Sequence, residues 1–260
     1  MQNPVAPVGG AFLIDEATPD QILIPEELSS ESRLMGKTME DYLRKEVHPL
    51  VDRIEVQEDG LMRRLVQGAG KLGLLATAVP EMYGGLDLPK SAIGLLIEKM
   101  AINASFSVSL GVQTALSTLS LLYFGTTDQK RKYIPSLATG EIIGAFSLSE
   151  ANCGSDALAS QTKAMLSPDG KSYILNGTKM WTTNAGFADL FVVFAKVDGE
   201  QFTAFLVDRI TPGLSLGREE HKLGIKGSST RRVILDGAAV PIDNVLGEVG
   251  KGSRDRKSVV

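Results

Sequence analysis

Cysteine occurs once in this sequence, tryptophan once and histidine twice. A single cysteine cannot close an internal disulfide, which favours a reducing compartment. One cysteine and two histidines are too few soft ligands for a zinc or redox-metal centre, so no metal is expected. A nucleophilic Cys153 would need a histidine partner, and only His48, on a helical pattern, and His221, in a loop, are on offer. Cys153 therefore reads as a small buried residue. No apolar run approaches the ~18 residues needed to span a bilayer, and no membrane segment is expected. The net charge of −4 comes without a basic stripe, which excludes nucleic acid as a partner. No Lys or Arg precedes Arg33, whereas Asp15, Glu16, Asp20, Glu26 and Glu27 do. That start fits neither a secretory signal nor an Arg-rich transit peptide, and a cytoplasmic protein is expected.

What is present is enough for two modest domains: 260 residues, 43% hydrophobic. Residues 1–28, rich in Pro and Gly, read as an extended arm. From Ser29 the pattern turns helical. Met39, Leu43 and Val47 recur at spacing four until His48-Pro49 ends the run. Leu61, Met62, Leu65 and Val66 mark a second stripe, Ser91 to Met100 a third helix, and Ser105 to Tyr123 a long apolar fourth closed by Gly125. Thr127 reads as the N-cap of a fifth that Gly140 stops. Then the period shortens. "KSYILNGTKMWTT" centres on Asn176-Gly177, a strong hairpin signal. "LFVVFAKV", "FTAFLVDR" and "RRVILDG" are further strands. The expected fold class is α+β: an all-α N-terminal domain over 29–140, then a β-barrel or sandwich middle domain over 141–250.

Two glycine-rich stretches do not carry the chemistry their letters suggest. "GAGKLG", Gly68 to Gly73, matches G-x-G-x-x-G, but a dinucleotide fingerprint needs a strand before it and a helix behind. Here "LMRRLVQ" before it has helical spacing, so the glycines read as helix and loop residues. "GIKGSST", Gly224 to Thr230, lacks a following helix and reads as a turn between strands. The basic residues between Arg218 and Arg232 read as a solvated face.

"FSLSEANCGSD", Phe146 to Asp156, and "WTTNAG", Trp181 to Gly186, share one design: an aromatic at a strand end, hydroxyls beyond it, then small residues. An isoalloxazine ring asks for an apolar wall and hydrogen-bond donors at its polar edge. The main-chain N–H groups of Leu148 and Ser149 suit that edge, and a Gly154-Ser155 loop lets a pyrophosphate approach. Each segment equally suits a strand end capped by hydroxyls, with Trp181 buried.

The chain also resembles the acyl-CoA dehydrogenase family from about Ser29 to Gly252. "VPEMYGGLDL" is similar to its P-E-x-x-G-G-x-G-L segment, with Asp87 in place of Gly, and "GVQTA" to part of its long helix. "FSLSEANCGSDALASQTKA" resembles the first flavin motif, commonly T-E-P-x-x-G-S-D, with Ser149 for Thr and Ala151 for Pro. "LNGTKMWTTNAGFADLFVVFAKV" resembles the second, and "LGIKGSSTRRVILDGAAVPIDNVLG" the closing β segment. The pattern is most similar to large bacterial members related to the very-long-chain branch.

The resemblance implies FAD as cofactor, contacted by Phe146, Leu148, Ser149, Gly154, Ser155, Trp181, Thr182 and Thr183. Ser155, Gln113 and Thr114 would meet an acyl-CoA substrate. It implies oxidation of the acyl Cα–Cβ bond to a trans-2-enoyl-CoA, as in fatty-acid β-oxidation, an electron-transfer flavoprotein as acceptor, and a homo-oligomer at full length. The family's base, a glutamate, lies in a C-terminal helical domain absent from this sequence; neither Glu98 nor Glu150 matches it. No catalytic residue is assigned, and the chain by itself is expected to be inactive. A non-catalytic module binding flavin or acyl-CoA, or an oxidase or monooxygenase of the same fold, are the alternatives. The ending "SRDRKSVV" departs from the family, and the codons for Asp255 to Val260 can match a sequencing-library adapter. A non-native tail over 251–260 is the expectation, refuted by a genomic stop after Val260.

Overall fold

A computed structural model describes residues 24–253. Most of the expected arm (1–28) and of the expected tail (251–260) lies outside the described residues; of the arm, Pro25–Glu27 form one 3-10 turn.

Helix α1 (Ser30–Tyr42) starts where the Ser29 hydroxyl accepts from the Ser32 N–H at 3.0 Å. It continues as a π-helical turn, Leu43–Val47, and a 3-10 turn, His48–Leu50, at the proline. Met39, Leu43 and Val47 are all buried, as their spacing requires. A short α2 (Val51–Glu55) leads to α3 (Leu61–Lys71), whose Leu61, Met62, Leu65 and Val66 enter the same core. The glycines of "GAGKLG" are packing devices. A Cβ at Gly70 would stand 2.1 Å from the Thr139 carbonyl oxygen, and one at Gly68 2.3 Å from the Tyr42 hydroxyl.

After α4 (Lys90–Met100), α5 (Ala104–Gly111), a π-helical segment Val112–Thr118 and α6 (Leu119–Phe124) run as one helix. Its 21 residues are, by length and composition alone, enough to cross a membrane. More than half of its most apolar window is buried inside the protein, so it serves as a core helix. Helix α7 (Thr127–Thr139) is capped one residue earlier than expected, by Thr126, with Gln129 returning the bond; Gly140 at φ 75° ends it.

Among the described residues the strands are β1 (Gly144–Ser147), β2 (Lys163–Leu166), β3 (Ser172–Thr183), β4 (Leu190–Val197), β5 (Gln201–Asp208), β6 (Leu214–Glu219), β7 (Thr230–Pro241) and β8 (Val245–Leu246). They form one sheet in the order β6-β7-β3-β2-β4-β5-β8, with β1 added parallel to β4. Strand β4 is buried on both faces. Phe191, Val193 and Ala195 join the core shared with α1, α3 and α5, while Leu190, Val192 and Phe194 pack with Ile134 and Leu137 of α7. Double burial is why its sequence is nearly continuous hydrophobic rather than alternating.

The expected hairpin at Asn176-Gly177 is not formed. Strand β3 runs straight through, paired to β7 on one side, with a register shift between Leu175 and Gly177. The bulge lies in β7 instead: Asp236 and Gly237, the latter at φ 66°, stand opposite the single residue Asn176, whose Oδ1 accepts from the Gly237 N–H at 2.8 Å, while Gly177 packs against Thr162. A Cβ there would stand 2.8 Å from the Thr162 Cα. Gly177→Val is therefore expected to cost about 2–4 kcal/mol in urea unfolding, with the same substitution at open Gly154 nearly neutral.

Arg63 clamps the helical half to the sheet. Its guanidinium holds Asp189 through two bonds, 3.0 and 2.8 Å, and donates to the Phe187 carbonyl at 2.7 Å. Asp189 in turn accepts from the Ile143 N–H at 2.9 Å, which fixes the entry to β1.

Candidate functional site

Strand β1 delivers the first hydroxyl-rich segment, β3 delivers the second, and the two meet. The Ser149 carbonyl accepts from the Met180 N–H at 2.8 Å. The Thr182 hydroxyl lies 3.2 Å from that of Ser147. Strand β3 changes register between Lys179 and Thr182, and Trp181 occupies the irregularity at φ 55°. A large side chain in the left-handed region costs about 1–2 kcal/mol, and such strain concentrates at functional positions. Its effect here is directional. Thr182 is buried, while the Trp181 indole is 53% exposed. The reading of Trp181 as a buried residue therefore fails.

Around the indole, polar groups are left over. Among the described residues no carbonyl accepts from the main-chain N–H of Leu148 or Ser149. Ser149 and Thr183 are half-buried and Ser155 is exposed. Glu150 and Cys153 exchange main-chain bonds of 2.9 and 3.2 Å, which folds the loop back and turns Gly154 and Ser155 outward. A Cβ at Gly154 would meet nothing within 4 Å, so nothing in the chain itself demands glycine there. Phe146 is half-buried against Phe194, ring centroids 5.2 Å apart. The site is an open face. Recesses lined by Arg63, Glu219 and Arg231, and by Gln161, Lys163 and Lys196, lie elsewhere and share none of these residues.

Beneath that face lies a buried ion pair. Lys179 is fully buried and its ammonium donates to Glu150 at 2.6 Å. Glu150 also accepts from the Ser160 hydroxyl (2.5 Å), the Gln161 N–H (2.7 Å), the Thr162 N–H (3.1 Å) and the Thr162 hydroxyl (2.5 Å). Burial by itself would raise the Glu150 carboxyl; the bonds from Lys179, Ser160, Thr162 and Gln161 overcome it and hold the group at about 2. Burial pushes the Lys179 ammonium below its ordinary range, with Glu150 opposing the shift. A carboxylate so fully engaged is no general base, in agreement with its exclusion on sequence grounds.

Three residues named from the sequence sit differently from expectation. Gln113 does not line a cavity. It is fully buried, donates to the Leu137 and Ile142 carbonyls, both at 2.9 Å, and accepts from the Gly144 N–H at 2.6 Å. Both its N–H groups and its oxygen brace the start of β1, because the end of α7, the loop after it and the strand entry converge there. The Thr114 hydroxyl is turned into its own helix, donating to the Leu110 carbonyl at 3.0 Å. The Thr182 side chain faces inward for the reason given by the irregularity in β3. Trp181, Gly154 and Ser155 are exposed, Ser149 and Thr183 half-buried, and Phe146 and Leu148 partly buried against the core beneath α7. Sequence reasoning missed Lys179, Ser160, Thr162 and Asn184, whose side chain donates to the Ser109 and Gly144 carbonyls at 2.9 and 3.3 Å. One signal was legible: Lys179 shares strand parity with Leu175, a core residue.

Residues 29–141 match the acyl-CoA dehydrogenase N-terminal domain and residues 145–238 the acyl-CoA dehydrogenase middle domain. The chain belongs to the acyl-CoA dehydrogenase family. It is 50% identical over 244 residues to a probable acyl-CoA dehydrogenase of Bacillus subtilis (strain 168), covering 94% of this chain and 41% of that protein. To the human mitochondrial very long-chain specific acyl-CoA dehydrogenase it is 42% identical over 196 residues, 72% of this chain and 30% of that one. The crystal structure of an acyl-CoA dehydrogenase complexed with FAD from Bacillus anthracis superposes with a TM-score of 0.93 at 46% identity, covering 96% of this chain and 43% of that one. The chain thus spans about two fifths of the length of the bacterial relatives. Its departures from the acyl-CoA dehydrogenase motifs are conformationally conservative. Asp87 adopts φ 45°, a conformation that glycine takes freely and Asp tolerates. Ser149 keeps the hydroxyl of Thr, and Ala151 is exposed in the turn closed by Glu150 and Cys153.

Proposed function

We propose that the chain forms the FAD-binding N-terminal and middle portion of a cytoplasmic acyl-CoA dehydrogenase of the very-long-chain-like branch, acting in fatty-acid β-oxidation. The observation that carries this reading is the meeting of Trp181, Ser149 and Thr183 at one open face whose main-chain donors are unspent. When bound, FAD supplies the two-electron acceptor for converting an acyl-CoA thioester to its trans-2-enoyl-CoA. The chain's own residues bind and orient. The indole of Trp181 provides a flat apolar wall, Leu148 and Ser149 offer N–H donors to a pyrimidine edge, and the Thr183 hydroxyl offers one more. Gly154 and Ser155 leave room for a pyrophosphate. The α-proton beside a thioester is weakly acidic, so its removal needs a desolvated carboxylate. Glu150 is unavailable, and the base is contributed from outside these residues; the 260-residue chain turns over no acyl-CoA by itself. Electron-transfer flavoprotein is the proposed acceptor and a homo-oligomer the proposed assembly of the whole enzyme.

The chain contains one tryptophan, which makes the test direct. Titrating FAD into the purified chain is expected to quench its intrinsic tryptophan emission and to leave a yellow protein after gel filtration. Unchanged emission together with a colourless protein peak would refute the reading for this chain.

A further inference from the structure

Within that reading, and resting on it, we propose that Lys179 is a positioning residue. It aims and polarises the Ser149 N–H toward the flavin, and Glu150 keeps it charged. Besides its bond to Glu150, the Lys179 ammonium donates to the Leu148 carbonyl at 3.2 Å and lies 3.2 Å from the Ser160 hydroxyl. The Leu148 carbonyl and the Ser149 N–H belong to one peptide group. No peptide in the described residues is cis, so oxygen and hydrogen point in opposite directions across that plane. With the oxygen turned down to a buried ammonium, the hydrogen is turned away from it, toward the open face. A cation on the carbonyl also draws electron density from the amide, which strengthens the N–H as a donor.

A neutral donor at position 179 would satisfy the carbonyl equally well and would be easier to bury. What the ion pair adds is charge and rigidity at one point. The carboxylate of Glu150 gathers Ser160, Gln161 and Thr162 from the far end of the loop, and Lys179 gathers Leu148 from its near end. Met180, the next residue of β3, holds Ser149 itself. The loop between residues 149 and 159 is thereby pinned at both ends to two adjacent strand residues.

The test uses the FAD-loaded full chain and the double variant Glu150→Gln/Lys179→Met, which removes both charges and leaves neither stranded. It is expected to fold, to bind FAD on the order of tenfold more weakly, and to carry a bound flavin whose midpoint potential is shifted negative. Ser160→Ala removes a hydroxyl without changing charge and is expected to keep the wild-type potential. A folded double variant with wild-type potential and affinity overturns the inference. A wild-type chain that takes up no FAD refutes the preceding reading instead, and the inference is then decided on the free chain by amide hydrogen exchange. Faster exchange over Leu148 to Ser155 in the double variant supports it; wild-type rates overturn it.

Discussion

Replacing Glu150 alone by leucine is expected to destabilise the protein by about 3–5 kcal/mol, one of the largest single-residue effects in the chain. Lys179 has no water to retreat to: it is fully buried, and removing its partner leaves an ammonium with only the Leu148 carbonyl and the Ser160 hydroxyl, each at 3.2 Å, and no counter-charge beside it. The loss exceeds that of any exposed pair, such as Arg44–Glu40, for which less than about 1 kcal/mol is expected. Adding Lys179→Met to Glu150→Leu should return only the part of the loss owed to the stranded ammonium, because the Gln161 and Thr162 N–H groups that Glu150 accepted from stay unpaired. Urea unfolding of the two single variants and the double one measures this as a coupling energy. Near-additive effects would show that the pair does not hold the loop. The same pair sets an acid limit. The Glu150 carboxyl sits at about 2 in the folded protein against an ordinary 4.5. Its stabilisation is therefore complete above pH 4.5 and disappears as the pH falls toward 2. Glu150→Gln should flatten that part of the stability profile, and an unaltered profile would remove Glu150 as its source.

Gln113→Leu is expected to cost about 3–5 kcal/mol, from a change that conserves size and adds apolarity. The reason is what the amide leaves behind. The Ile142 carbonyl and the Gly144 N–H lose their partner, and the Leu137 carbonyl keeps only the Gly140 N–H. Each buried group left unsatisfied costs about 1–3 kcal/mol. The damage reaches the open face, since Gly144 begins the strand that carries Phe146 to Ser149, and FAD affinity should fall with stability. Gln113→Glu separates the two roles attributed to this position. If Gln113 faced acyl chains, Glu would perturb substrate handling while leaving the fold intact. As an internal brace, it should unfold the chain, because the carboxylate cannot donate to either carbonyl. Calorimetry of both variants decides between them.

Much of this was legible along the chain. The stripe of Met39, Leu43 and Val47, the period change after Gly140 and the two hydroxyl-rich strand ends each follow from local side-chain chemistry. Asn176-Gly177 misled for a definable reason: the pair can form a tight turn but here stays in a continuous strand, where glycine is needed because the backbone passes close to Thr162, and only the pairing of β3 with β7 reveals this. The long helix is apolar and long enough by composition to cross a membrane, yet it is packed as a core helix. Gln113, Thr114 and Ser120 interrupt its apolar run and are bonded to carbonyls of the helix itself and its neighbours, whereas the buried hydroxyls of Ser109 and Ser117 have no partner among the described residues.

The residues alone were enough for the order of helical and β halves, for the family, and for the two hydroxyl-rich segments that meet at one face. Each of these is written in short windows, where periodicity and residue type are enough. Tertiary structure alone decided the roles of Gln113, Thr182, Glu150 and Lys179, because those depend on which distant backbone groups lie within 3 Å of a side chain. A glutamine, a glutamate or a lysine looks the same in a sequence whether it meets water, ligand or a buried carbonyl. Burial, which is set by packing across the whole chain, tells them apart.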